Sequence, residues 1–142
     1  MNAAKTSETN KTRCLDVAIV GAGFGGLGLA IRLKQNGIDN FRIFEQAEDV
    51  GGVWRDNRYP GAACDVPSHL YSFSFEPKPD WGRVFSPQQE IYAYLRHCAD
   101  KYLLRPKIRF GTRVTEARFD ETRGEWEVAL DTGERCRARA LI

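Results

Sequence analysis

Leu15–Gly26 reads LDVAIVGAGFGG, and the fold turns on how these twelve residues divide. Leu15 to Val20 is a short apolar run with β-branched residues, the pattern of a strand buried in a parallel sheet. Gly21-Ala22-Gly23-Phe24-Gly25-Gly26 follows at once and fits G-x-G-x-x-G. From Phe24 to Asn36 the periodicity is helical, with Leu27, Ile31 and Leu33 or Ala30 able to face a sheet, and Gly37 stands where a helix-terminating glycine belongs. Phe41 to Glu45, FRIFE, reads as a second strand. A strand–helix–strand unit of this kind predicts a right-handed crossover and a parallel pair.

The glycines have separate tasks. Gly21 permits the tight turn, Gly23 lets the backbone approach a pyrophosphate, and Gly26 lets helix and strand pack closely. The helix N-terminus adds unpaired N–H donors and a partial positive charge. Glu45 follows Gly26 by nineteen residues. An acid there accepts hydrogen bonds from a ribose 2′-OH, which favours FAD or NAD over NADP. These residues alone do not separate FAD from NAD.

Outward from this unit, composition narrows the class. The 142 residues suit one domain, and 42% hydrophobic with 28% charged content is globular. A net charge of +2 gives no reason to expect nucleic acid or an anionic membrane as partner. No apolar run approaches the ~20 residues of a membrane span. Residues 1–13 are polar, lack the apolar core of a secretory signal, and read as a disordered lead-in to a domain over 14–142. Cys14, Cys64, Cys98 and Cys136 are scattered, with no metal-type spacing, so neither a zinc site nor a disulfide framework is expected and a cytoplasmic setting is.

Residues 46–85 show little regular periodicity and carry prolines at 60, 67, 77 and 79. A loop this long is functional or disordered, and its aromatics, from Trp54 and Tyr59 to Trp81 and Phe85, favour order. Ser86-Pro87-Gln88-Gln89 predicts a capped helix start, with Ser86 as N-cap, running to about Leu104 with Ile91, Tyr94, Leu95, Cys98 and Tyr102 as its apolar stripe. Lys107 to Phe110 reads as a third parallel strand. Val114–Phe119, Trp126–Leu130 and Cys136–Ile142, separated by turns, read as three antiparallel strands. Ala140-Leu141-Ile142 looks like the middle of an apolar strand, so the fold is expected to be incomplete at its C-terminus and the chain to be part of a longer protein.

The fifteen residues Gly51–Asp65, GGVWRDNRYPGAACD, are a poor helix or strand. Gly51-Gly52 admits close backbone approach to a ligand. Trp54 is placed to cover a flavin or bury a loop. Asp65, beyond the Tyr59-Pro60-Gly61 turn, is placed to orient a basic group or to cap a turn.

GAGFGG, Glu45 and this run together resemble the class B flavoprotein monooxygenases, and most closely their Baeyer–Villiger branch. That branch carries a fingerprint [A/G]-G-x-W-x-x-x-x-[F/Y]-P-[G/M]-x-x-x-D, and Gly51, Gly52, Trp54, Tyr59, Pro60, Gly61 and Asp65 match its fixed positions. The resemblance extends over about residues 14–142. It implies an α/β, Rossmann-like FAD-binding domain of the glutathione-reductase type, with a parallel sheet and an antiparallel β-meander. It also implies FAD and NADPH as cofactors, with O2 and a ketone or other oxygenatable small molecule as substrates. The implied reaction inserts one oxygen atom beside a ketone carbonyl through a C4a-peroxyflavin. N- or S-oxygenation and a non-catalytic FAD-binding remnant are the alternatives. By resemblance, Gly21, Gly23 and Gly26 hold the FAD pyrophosphate with Phe24 beside them, and Glu45 with Gln46 holds the adenosine ribose. Gly52, Val53 and Trp54 lie along the flavin, and Tyr71 is a further FAD contact. Ala63, Cys64 and Asp65 lie where nicotinamide meets flavin, with Asp65 as the catalytic candidate, placing an arginine. Arg55 and Asp56 occupy free positions where some relatives carry aromatics. The family's NADPH-binding glycine motif, its linker fingerprint and its activating arginine are not among these residues. His69 and His97 do not fit that fingerprint, and His97 reads as a surface or helix-packing residue.

Overall fold

A computed structural model of the chain describes residues 14–142; the expected lead-in at 1–13 lies outside the described residues. Strand β1 (Leu15–Val20), helix α1 (Phe24–Gln35) and strand β2 (Phe41–Phe44) form the expected unit, with β1 and β2 parallel and Val17 opposite Phe41. A one-turn helix α2 (Val53–Asp56) and helix α3 (Gln88–Lys101) follow, then β3 (Ile108–Arg109), β4 (Val114–Asp120), β5 (Glu125–Leu130) and β6 (Arg135–Leu141). All six strands join one sheet in the order β3-β2-β1-β6-β5-β4.

The sheet is mixed at β6. That strand is antiparallel to β5, as a meander requires, but parallel to β1, with Leu15 opposite Ala138. The three expected antiparallel strands are present as β4, β5 and β6, and the parallel pairing of β6 with β1 is a further contact that the sequence reading did not include. Alternation along β1 and β2 explains how one sheet serves two cores. Val17, Ile19, Phe41 and Ile43 face α1 and α3 and pack with Leu27, Ala30, Ile31, Leu95 and Cys98. Ala18 and Phe44 face the other way and pack with Val128, Leu130 and Ala138.

The start of α3 is corrected too. Ser86 is fully buried and does not cap the helix, which begins at Gln88 with no side-chain cap. Its backbone N–H donates instead to the Ser68 hydroxyl at 2.7 Å, and the two hydroxyls lie 2.7 Å apart. Ser68 in turn donates to the Val84 carbonyl at 2.8 Å. The helix ends at Lys101 rather than Leu104, while Ile91, Tyr94, Leu95 and Cys98 are buried as the apolar stripe requires.

The segment between β2 and α3 is ordered by polar ties. Asp49 is their hub. It accepts hydrogen bonds from Tyr92 at 2.7 Å, from the Val50 N–H at 2.8 Å and from Arg105 at 3.0 Å. Burial works against its carboxylate, but these donors together bring its pKa below the ordinary value. Glu76 plays the same part farther along, accepting from Lys101 at 2.7 Å and from the Tyr102 hydroxyl at 2.7 Å. Aromatics fill the space between. Phe24 packs edge-on against Tyr71 at 5.1 Å and Phe73 at 5.0 Å, and Phe73 stacks on Phe75 at 5.0 Å.

Candidate functional site

The site grows from the turn between β1 and α1. A Cβ on Gly26 would lie 2.0 Å from the Gly21 carbonyl oxygen, so only glycine lets the helix leave the strand this closely. Helix α1 has no side-chain cap and no acid in its first turn. Its leading N–H groups are thus left for an anion, where the helix dipole also favours one.

Gly51 and Gly52 dock on this turn. The Gly51 N–H donates to the Ala22 carbonyl at 2.9 Å. Gly52 has φ of +53°, and a Cβ there would stand 3.2 Å from the Gly23 Cα. Two glycines face one another, so the backbones form a shared floor free of side chains.

Glu45, at the end of β2, is 4% exposed and closes the other side. Its Oε2 accepts from the Ala22 N–H at 2.8 Å, and its Oε1 from the Ala47 N–H at 2.9 Å and from Arg55 Nη1 at 3.2 Å. Arg55 is itself buried. It donates to the Asp49 carbonyl at 2.6 Å and grips both oxygens of Asp56, at 2.8 and 3.0 Å. The fork to Asp56 is the first cause of a raised Arg55 pKa and of a lowered Asp56 pKa.

These elements surround a groove of about 460 Å3 lined by Gly21, Gly23, Glu45, Gln46, Gly52 and Val53, together with Arg55, Asp56 and Thr112–Val114. It lies beyond the carboxyl ends of β1, β2 and β3, where open α/β sheets bind ligands, and its size is that of ordinary ligand clefts. Val20 and Val53 expose 50% and 61% of their surface along it, apolar area that a ligand would cover.

The structure brings together six of the residues singled out from sequence: Gly21, Gly23, Glu45, Gln46, Gly52 and Val53. Gly26 lies beneath them as a packing contact. Phe24, Trp54 and Tyr71 belong to the adjoining aromatic cluster, where Trp54 Nε1 donates to the Tyr71 hydroxyl at 3.2 Å. Ala63 lines a separate cleft beside Tyr59 and Pro87, Cys64 is buried with its N–H on the Ser86 carbonyl, and Asp65 is exposed and lines neither. His97 is exposed, 3.8 Å from Glu76. Arg55 as the groove's buried cation, and Thr112–Val114 as its far wall, were not singled out. The signal for the second was available, since the residues after a third parallel strand border the same crevice.

The chain is similar to known proteins over most of its described length. The family model for the NAD(P)-binding Rossmann-like domain matches residues 19–87. A Baeyer-Villiger monooxygenase of Streptomyces coelicolor is 56% identical over 117 residues, 82% of this chain and 22% of that protein. One from Pseudomonas aeruginosa is 50% identical over 126 residues, 89% of this chain and 24% of its own length. Among solved structures, a steroid monooxygenase bound to NADP superposes with a TM-score of 0.86 at 47% identity, over 91% of this chain and 25% of that one. An open form of cyclohexanone monooxygenase gives 0.85 at 38%, over 92% and 26%. This chain spans about a quarter of the length of the proteins it matches. By sequence and by fold, the chain is similar to a dinucleotide-binding quarter of the Baeyer–Villiger monooxygenases.

Proposed function

We propose that this chain is the FAD-binding portion of an NADPH-driven, Baeyer–Villiger-type monooxygenase acting on a ketone or another oxygenatable small molecule. The carrying observation is the convergence of the uncapped α1 N-terminus, the facing Gly23 and Gly52 and the buried Glu45 on one groove. The donor set fits a dinucleotide. Backbone N–H groups of Gly23–Gly26 meet the pyrophosphate, the Glu45 carboxylate accepts from the adenosine ribose, and the side-chain-free floor at Gly52 lets the ligand lie against backbone.

In this reading Val53, Trp54 and Tyr71 border the flavin, with Trp54 held in orientation by its hydrogen bond to Tyr71. Asp65, with Ala63 and Cys64, stands on the loop where nicotinamide and the rest of the protein would meet the flavin, and its exposed carboxylate is free to pair with a cation supplied from there. Bound FAD supplies the two-electron chemistry and the activation of oxygen, while the protein's part is to bind, orient and exclude water. Among the described residues no helix is long and apolar enough to cross a membrane. The four cysteines are free thiols, which supports a cytoplasmic setting.

The test is to express the chain and look for a flavin absorption band near ~450 nm, then for NADPH oxidation. Bound flavin without NADPH consumption is the expected result. A chain that takes up no flavin from an excess of FAD would overturn the assignment.

A further inference from the structure

We infer that Arg55 is a positioning residue for the ribose-binding carboxylate, and that its guanidinium determines how this groove holds the adenosine hydroxyls. This rests on the FAD reading of the groove and adds to it a residue that the fingerprint leaves free.

Three observations carry the inference. First, Arg55 is 8% exposed, although arginine is almost never buried unless paired. Second, its contacts are divided. Nη1 bridges Glu45 Oε1 at 3.2 Å and the Asp49 carbonyl at 2.6 Å, while Nε and Nη2 grip Asp56. The guanidinium therefore ties the end of β2, the loop after it and α2 into one wall, and both it and Asp56 line the groove. Third, the acceptor count at Glu45 is asymmetric. An ionised carboxylate offers about four lone-pair sites. Oε1 already takes two donors, Ala47 N–H and Arg55 Nη1, whereas Oε2 takes one, Ala22 N–H.

Arg55 thus saturates one oxygen and leaves the other with the remaining capacity. A ribose hydroxyl meets a carboxylate whose rotation is already fixed, so little is lost in ordering it on binding. Without Arg55, Oε1 regains a free lone pair and the carboxylate loses one of its three anchors. Glu45 would then be free to turn away from the ribose toward the loop.

Binding measurements with the chain and three probes, FAD, ADP and 2′,3′-dideoxy-ADP, test this directly. Arg55→Met is expected to weaken FAD and ADP by about tenfold. It should change dideoxy-ADP by less than about twofold, because that probe offers no hydroxyl to Glu45. In a Glu45→Gln background the same substitution should change ADP by less than about twofold, the non-additivity expected of two groups acting through one contact. Arg55→Lys, which keeps a cation but not the fork, should fall between wild type and Arg55→Met for ADP, and it serves if the methionine variant does not fold. Equal losses for ADP and dideoxy-ADP, or additive losses in the double variant, would show that Arg55 only shapes the loop, and would overturn the inference. So would ADP binding that Arg55→Met leaves unchanged. An unaltered chain that binds neither FAD nor ADP would refute the nucleotide reading itself, a different failure from a silent Arg55.

Discussion

At Gly26 a single methyl group is too much. The added Cβ would meet a backbone carbonyl oxygen at 2.0 Å, and neither β1 nor α1 can retreat without breaking the contacts of Ile19 and Leu27, both buried. Gly26→Ala should lower unfolding stability by at least about 2 kcal/mol in urea titration, and a variant as stable as wild type would contradict this geometry. Glu45→Ala should act on both stability and binding. It removes the ribose acceptor, weakening FAD by on the order of 1–3 kcal/mol, and it strips a partner from buried Arg55, so the midpoint of unfolding should also fall. Unchanged FAD affinity in a titration of flavin fluorescence would refute the ribose role. Residues such as these were legible because backbone geometry dictates them: a strand, a glycine turn and a helix leave few choices at Gly21, Gly23 and Gly26. Arg55 was not legible, because nothing in the spacing of a single arginine tells that its side chain will be buried against an acid ten residues earlier.

Among the elements, α3 shows how local signals lose to tertiary ones. Ser86-Pro87-Gln88-Gln89 has the composition of a capping box, yet the Ser86 N–H and hydroxyl face Ser68, a partner eighteen residues away that no local pattern reveals. Its apolar stripe was legible because 3.6-residue periodicity is local. The C-terminal end of α3 is held to the preceding strap by Glu76, and this gives a pH signature. Lys101, then Tyr102, hold the Glu76 pKa below its ordinary value. Glu76 in turn, with burial second, pushes the Tyr102 hydroxyl up to about 12. The folded carboxyl has the lower pKa, so its contribution is present above the unfolded value of about 4.3 and lost as pH falls through the folded one. The folded phenol has the higher pKa, so its contribution is present below about 10 and lost as pH rises toward 12. Urea midpoints measured across pH should therefore decline at both ends. Glu76→Gln should flatten both limbs, and Tyr102→Phe the alkaline one alone. An alkaline limb that survives in Tyr102→Phe would assign it to other groups.

On the scale of the molecule, the last strand in sequence is the weld. Strand β6 lies between β1 and β5, so the βαβ unit and the β4–β5 hairpin meet in the sheet only through it. A strand over Cys136–Ile142 is legible after the turn at Asp131–Glu134, and the structure forms it over Arg135–Leu141, but its second neighbour is not legible, because pairing between segments more than a hundred residues apart leaves no local trace. The second core depends on the same strand. Ala18 and Phe44 from the parallel half meet Val128 and Leu130 from the hairpin around Ala138, which is fully buried. Deleting Arg135–Ile142 would remove Ala138, Cys136 and Leu141 from that cluster, expose both β1 and β5 as new edges, and leave an isolated hairpin of the kind that is at best marginally stable in water. The expected outcome is loss of a single cooperative unfolding transition by near-UV circular dichroism, with residual helix from α1 and α3 in the far-UV signal. A truncated chain that melted sharply at the wild-type midpoint would mean that the two halves fold independently. The groove would feel the same loss, since Val114 at the start of β4 lines its far wall. Nucleotide affinity should therefore fall in the deletion even though the glycine turn, Glu45 and Arg55 all remain in the chain.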